Sequence, residues 1–121
     1  MGIFQDNNPQ PNAMNQAIYK IAKDSFDLAV SNLQAALPGL LATYQKAFST
    51  TQQSGMDVDG AMDKAWTALQ TAQHTLNSDV LTYGNQLDGW RQTWFTNPKQ
   101  ATSFPPELPD SLKKYVFTPA S

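Results

Sequence analysis

Cysteine is absent from this chain of 121 residues, and histidine and glutamate occur once each, as His74 and Glu107. Without cysteine the chain forms no disulfide and offers no thiolate to a metal or a substrate. A protein metal site needs several ligands, so one histidine does not make one. We therefore expect neither a disulfide scaffold nor a cysteine-based or zinc-based reaction.

Charge is also scarce. Charged residues make up 15% of the chain, against about 25% in a typical soluble domain. The formal net charge is −2, Arg91 is the sole arginine, and the lysines are scattered along the sequence. A nucleic-acid partner requires a concentrated basic face. We expect no nucleic-acid specificity, and a neutral surface of amides and hydroxyls that tolerates close packing with copies of itself.

Long apolar runs are missing as well. No stretch approaches the roughly 20 apolar residues that cross a bilayer, so no membrane span is predicted. The first residues have neither a basic segment nor an apolar one, and we expect no classical signal peptide. Residues 1–12 are rich in Asn, Gln and Pro and predict a flexible or extended arm.

The chain does contain two rows of apolar residues at steps of three and four, the period of an α-helix with one apolar side. The first row comprises Met14, Ile18, Ala22, Phe26, Val30, Leu33, Leu37, Leu40, Tyr44 and Phe48. The second row comprises Val58, Met62, Ala65, Leu69, Ala72, Leu76, Val80, Tyr83, Leu87, Trp90 and Trp94. These rows predict two long helices, at about 13–52 and 57–96.

Pro38 and Gly39 interrupt the first row. A proline inside a helix removes a hydrogen bond and costs roughly 3 kcal/mol, so the segment either divides into two helices or continues with a kink. The row keeps its phase from Leu37 through Leu40 to Tyr44, which favours one kinked helix.

Two helices of similar length joined by a short turn at Ser54-Gly55 predict an antiparallel hairpin. Folding the chain about residue 55 places Tyr44 opposite Trp66. It also places Phe26 opposite Gly84, a large side chain against a missing one. The fold class is therefore all-α: a long two-helix hairpin over 13–96 with an arm at each end.

The C-terminal arm, 97–121, is rich in proline but too apolar for a disordered tail. A short helix is predicted over 110–116. The arm is expected to dock either on its own hairpin or on a neighbouring molecule.

No motif for catalysis, phosphate binding or a cofactor is present, and we expect no enzyme activity, no cofactor and no small-molecule ligand. Asp57, Asp59 and Asp63 have the wrong register for a calcium loop. They are interpreted as carboxylates at the positive end of a helix. His74, among polar neighbours, is interpreted as a surface residue.

Apolar residues beside the two rows widen the apolar face beyond what one partner helix can cover. These flanking residues are Ile21, Leu28, Leu41, Trp66, Leu81 and Phe95. The candidate protein interface combines two of them with the C-terminal arm: Trp66, Phe95, Phe104, Leu108, Leu112, Tyr115 and Phe117. The expected partners are copies of the chain and other assembly proteins.

These features predict a structural subunit of a large homo-oligomeric assembly. A virion is the expected setting, with a tail-, portal- or ejection-associated component of a tailed phage as the favoured kind. Two alternatives stay open: a secreted or secretion-apparatus hairpin protein, and an adaptor or chaperone that binds one partner helix along the apolar groove.

Overall fold

The computed structural model describes residues 13–96 and 104–117, apart from the side chains of residues 94–96 and 117. The predicted N-terminal arm, 1–12, lies outside the described residues. So do residues 97–103 and 118–121 of the C-terminal arm.

Helix α1, Ala13–Ser54, is a single helix of 42 residues that contains Pro38. The prediction of one continuous helix, rather than two, is confirmed. The helix ends where Gly55 adopts the left-handed conformation, at φ +78°, and the Gly55 N–H donates to the Thr51 carbonyl at 2.7 Å. A glycine adopts this conformation without the steric cost of a β-carbon, which is why the chain stops its helix here.

The next helix begins later than predicted. A 3-10 turn, Val58–Gly60, comes first, and Asp59 and Gly60 both have positive φ, at 60° and 65°. Helix α2 therefore starts at Ala61 and not near residue 57, because two left-handed residues in succession cannot belong to a right-handed helix.

The Asp57 side chain caps α2, although Asp57 precedes the first residue of that helix, Ala61, by four positions. Its Oδ1 accepts the Met62 N–H at 2.7 Å and its Oδ2 accepts the Asp63 N–H at 3.3 Å. Both N–H groups belong to the first turn of α2 and have no partner within the helix. Asp57 thus acts as the predicted carboxylate at the positive end of a helix, reaching over the intervening turn.

The rest of the return helix is one rod with an irregular middle. Helix α2, Ala61–His74, leads into a π-helical turn, Thr75–Asp79, and then into α3, Val80–Thr96. Thr75, Asp79, Tyr83 and Leu87 face inward at three successive steps of four. A π turn holds about one residue more than a regular helical turn, because its hydrogen bonds join residues five apart. The sequence analysis did not predict this turn.

The two rods form the predicted antiparallel hairpin in the predicted register. The Tyr44 and Trp66 rings lie 5.0 Å apart, and the Phe26 and Tyr83 rings lie 5.1 Å apart. A β-carbon built on Gly84 would lie 3.6 Å from the Phe26 ring. Phe26 therefore does oppose Gly84, although at ordinary contact distance and with room for one methyl group.

Helix α4, Asp110–Phe117, stands where the sequence predicts a short helix over 110–116. It packs on α1 and on the π turn, so the described part of the chain has a third helical layer over the middle of the hairpin. The main core lies where α4 meets α1 and the return helix. It consists of Ala29, Leu33, Ala72, Tyr83, Leu87, Trp90 and Leu112.

The ends of the first row do not join this core. Met14 and Phe48 are exposed, whereas Asn15 and Ala29 are buried. Met14 lies in the first turn of α1, and Phe48 lies in the part of α1 next to the turn of the hairpin. Periodicity marked both residues as inward, but both lie away from the middle of the hairpin, where the main core is. Among the described residues no helix is both long and apolar enough to cross a membrane.

The register predicts opposite effects for two substitutions at Gly84. Gly84→Ala places one methyl group at ordinary contact distance and removes the helix penalty of glycine, so we expect a gain of up to about 1 kcal/mol in unfolding free energy. Gly84→Leu drives a branched side chain into the Phe26 ring and should cost about 1–3 kcal/mol. Urea denaturation of both variants measures this, and a neutral Gly84→Leu would contradict the register.

The capping geometry predicts that Asp57 stabilises the return helix. Asp57→Ala leaves the Met62 and Asp63 N–H groups without their acceptor and should lower the unfolding free energy by about 0.5–2 kcal/mol. Asp59→Gly is the matched control, because it removes the same charge while suiting the positive φ at that position. Thermal unfolding should show a loss for Asp57→Ala and none for the control; equal losses would contradict the cap.

Candidate interaction surfaces

The described part of the C-terminal arm, 104–117, packs on the chain's own hairpin. Leu112 is 0% exposed and belongs to the main core beside Ala29 and Leu33. Leu108, Tyr115 and Val116 pack around the same core as partly buried residues.

Three hydrogen bonds fix the docked arm. The Asn32 Nδ2 donates to the Tyr115 carbonyl at 2.6 Å, and the Ser111 hydroxyl donates to the Asp79 carboxylate at 2.6 Å. The Tyr83 hydroxyl donates to the Pro106 carbonyl at 3.0 Å. These contacts come from both rods of the hairpin, so the arm fastens the two rods to each other.

The π turn and the buried tyrosine contribute directly to this attachment. The π turn ends at Asp79, whose carboxylate receives the Ser111 hydroxyl. Its other end, Thr75, is buried, and the Thr75 hydroxyl donates to the Thr71 carbonyl at 3.0 Å. Burial raises the pKa of Tyr83, so the phenol keeps its proton and remains a donor to Pro106.

Leu112 belongs to the candidate interface predicted from the sequence, and in the structure it is buried against the chain's own hairpin. Its side chain is enclosed by the chain's own hairpin, because α4 turns that residue toward α1 and the return helix. Tyr115 and Leu108 are largely covered in the same way. Of the predicted arm residues with described side chains, Phe104 is the most open, at 82% exposed. The side chains of Phe95 and Phe117 lie outside the described set.

An aromatic patch lies on the half of the hairpin near the turn. It consists of Leu41, Phe48 and Trp66, grouped around Tyr44. The Tyr44 ring lies 5.0 Å from the Trp66 ring and 6.1 Å from the Phe48 ring. Trp66 remains 43% exposed despite this tilted ring contact, and Leu41 is 44% exposed. Trp66 is therefore partly packed within the chain and partly presented to solvent.

An aliphatic strip lies on the other half of α1. Met14, Ile21 and Leu28 follow one another at steps of seven, and Ile21 is 68% exposed. Residues at steps of seven stay on one side of a helix. The sequence analysis identified Ile21 and Leu28 as residues beside the first row but did not connect them with Met14.

The flanking residues that were expected outside the rows are exposed wherever their side chains are described. They are Ile21, Leu28, Leu41, Trp66 and Leu81. The hairpin and its docked arm therefore leave a substantial apolar surface uncovered.

Other chemistry is sparse in the described part of the chain. His74 is exposed at the end of α2, and residues 13–96 and 104–117 contain no group of three His, Cys, Asp or Glu residues that could hold a metal ion. A shallow groove of about 270 Å³ lies beside the turn, lined chiefly by methyl groups from residues such as Ala47, Thr50 and Val58.

Comparison with family models, with curated proteins and with solved structures found no match to this chain.

The docked arm predicts a large effect from one buried residue. Leu112→Ala opens a cavity under α4 and should lower the unfolding free energy by about 2–5 kcal/mol. The control is Phe104→Ala in the same arm, which should change it by no more than about 0.5 kcal/mol because Phe104 is exposed.

Hydrogen exchange gives a second measurement on the same variants. The amides of residues 111–117 should lose protection in Leu112→Ala and keep it in Phe104→Ala. Unchanged protection in Leu112→Ala would mean that Leu112 does not hold the arm in place.

Proposed function

We propose that this protein is a non-enzymatic structural subunit that assembles with copies of itself. The observation that carries the proposal is the uncovered apolar surface on both halves of α1 and on α2. Monomeric soluble proteins rarely leave a contiguous apolar patch larger than a few hundred Å² without using it. Trp66 is the most informative member, because tryptophan is strongly enriched among residues that dominate binding energy at interfaces.

The thinness of the core supports the same proposal. Two helices cover only one stripe of each other, and α4 adds a third element over the middle alone. Toward the turn, the buried residues are few and small or aliphatic, such as Ala65 and Leu69. A second molecule on that half would bury the aromatic patch and add to the stability of the hairpin.

The proposed setting is a particle, with a tail-, portal- or ejection-associated protein of a tailed phage as the favoured kind. Its support is the composition: few charges and many amides and hydroxyls, which weaken repulsion between neighbouring copies. A secretion-apparatus hairpin is the related alternative. The flanking genes distinguish them: portal or capsid genes would support the particle, and secretion genes would overturn it.

Sedimentation across a range of concentrations tests the assembly itself. The chain should exceed its monomer mass of 13.3 kDa as concentration rises. A species that stays monomeric at high concentration would contradict self-assembly and favour an adaptor that binds one partner helix.

A substitution in the aromatic patch separates assembly from folding. Trp66→Ala should weaken self-association at least tenfold, since truncating an interface tryptophan commonly costs more than 1.4 kcal/mol. The far-ultraviolet circular dichroism should stay close to that of the unaltered chain, because Trp66 is exposed on one side. A collapse of helicity would instead make Trp66 a residue of the chain's own core.

A further inference from the structure

The aromatic patch lies on the side of α1 opposite to the docked arm. Asn32 marks the arm's side, because its side chain donates to the Tyr115 carbonyl in α4. Leu41 follows Asn32 by nine residues, which is two and a half turns at 3.6 residues per turn. The Leu41 side chain therefore projects from α1 in the direction opposite to the arm.

The aliphatic strip lies on the same side as the arm. Leu28 precedes Asn32 by four residues, about one turn, and Ile21 and Met14 continue the strip at steps of seven. Seven residues return to nearly the same direction, with a drift of about 20°. The strip and the patch thus face opposite ways across the hairpin.

The two surfaces are also separated along the helix. Ile21 in the middle of the strip and Tyr44 in the middle of the patch are 23 positions apart, or roughly 35 Å at 1.5 Å per residue. A twofold dimer joins a surface to itself, so strip on strip would leave the patch uncovered, and patch on patch would leave the strip. If the strip of one copy packs on the patch of the next copy, one repeated contact covers both surfaces.

The areas suit such a contact. A large apolar side chain offers roughly 200 Å², so the exposed fractions in the strip and the patch amount to roughly 300 Å² each. Apolar atoms make up a little over half of an ordinary interface. With every exposed part covered, the joined surfaces would bury on the order of 1,000 Å² in all, which is the lower limit for a specific interface.

On α1 the border of the patch is neutral, whereas on α2 the exposed Asp63 lies one turn before Trp66. Gln34, Gln45 and Gln52 are exposed beside the patch and are neutral. Beside the strip, the Lys20 Nζ lies 2.7 Å from the Asp24 carboxylate, so these two charges neutralise each other.

We propose that the aliphatic strip of one copy packs on the aromatic patch of the next, so that copies associate head to tail. The occupant of each surface is a second copy of this chain. A head-to-tail contact leaves a free strip at one end and a free patch at the other, so it continues until a ring closes or a filament forms. This inference rests on the proposed function, since it specifies how the copies meet.

Mixing two complementary variants tests the head-to-tail contact. Ile21→Asp disables the strip and Leu41→Asp disables the patch, while each keeps the other surface. Asn85→Asp, an exposed position on α3, adds the same charge away from both surfaces. We expect each of the first two variants to remain monomeric at concentrations where the unaltered chain and the control assemble. A 1:1 mixture of the two should double in mass and grow no further.

Two results would overturn the contact while leaving self-assembly in place. One is continued self-association of either variant through its remaining surface, and the other is a mixture that stays monomeric while the unaltered chain assembles. If the unaltered chain itself stays monomeric, the proposed function fails together with this inference. Circular dichroism of each variant checks that the helices are retained, as exposed positions predict.

Discussion

Burial of the apolar stripes is the constraint on which this structure depends. A long helix with one apolar side must cover that side, yet two helices cover only a stripe of each other. In the middle of the hairpin the chain's own arm covers the apolar stripes, and Leu112 of α4 is fully buried there. Elsewhere along α1, apolar side chains on both sides of the helix remain exposed to solvent.

The π turn in the return helix helps to hold the arm that covers the apolar stripes. The π turn, Thr75–Asp79, lies in the middle of the return helix, and Tyr83 and Leu87 are buried beyond it. It also ends at Asp79, the acceptor for the arm's Ser111 hydroxyl. This local distortion therefore takes part in the attachment of the arm.

Sequence reasoning identified what periodicity and turn chemistry determine. It located the end of α1 at Gly55, the unbroken passage through Pro38, and the register that places Tyr44 on Trp66 and Phe26 by Gly84. It did not identify Leu112 as a core residue, because an apolar arm suits its own hairpin as well as a neighbour's. Helix α2 starts late because Asp59 and Gly60 are left-handed, and the Asp57 carboxylate caps the helix from a position before them. Neither feature can be recognised from the spacing of apolar residues. Met14 shows the same limit: its spacing marked it as inward, but its side chain is 67% exposed in the first turn of α1.

The central claim is that other copies of the chain cover the exposed apolar residues, and covalent footprinting read by mass spectrometry tests it most directly. The labelling of each side chain would be compared between a dilute sample and a concentrated one. We predict that labelling of Ile21 and Trp66 falls on concentration while that of Asn85, on the outer side of α3, is unchanged. Labelling of Ile21 and Trp66 that is the same in both samples would contradict the account.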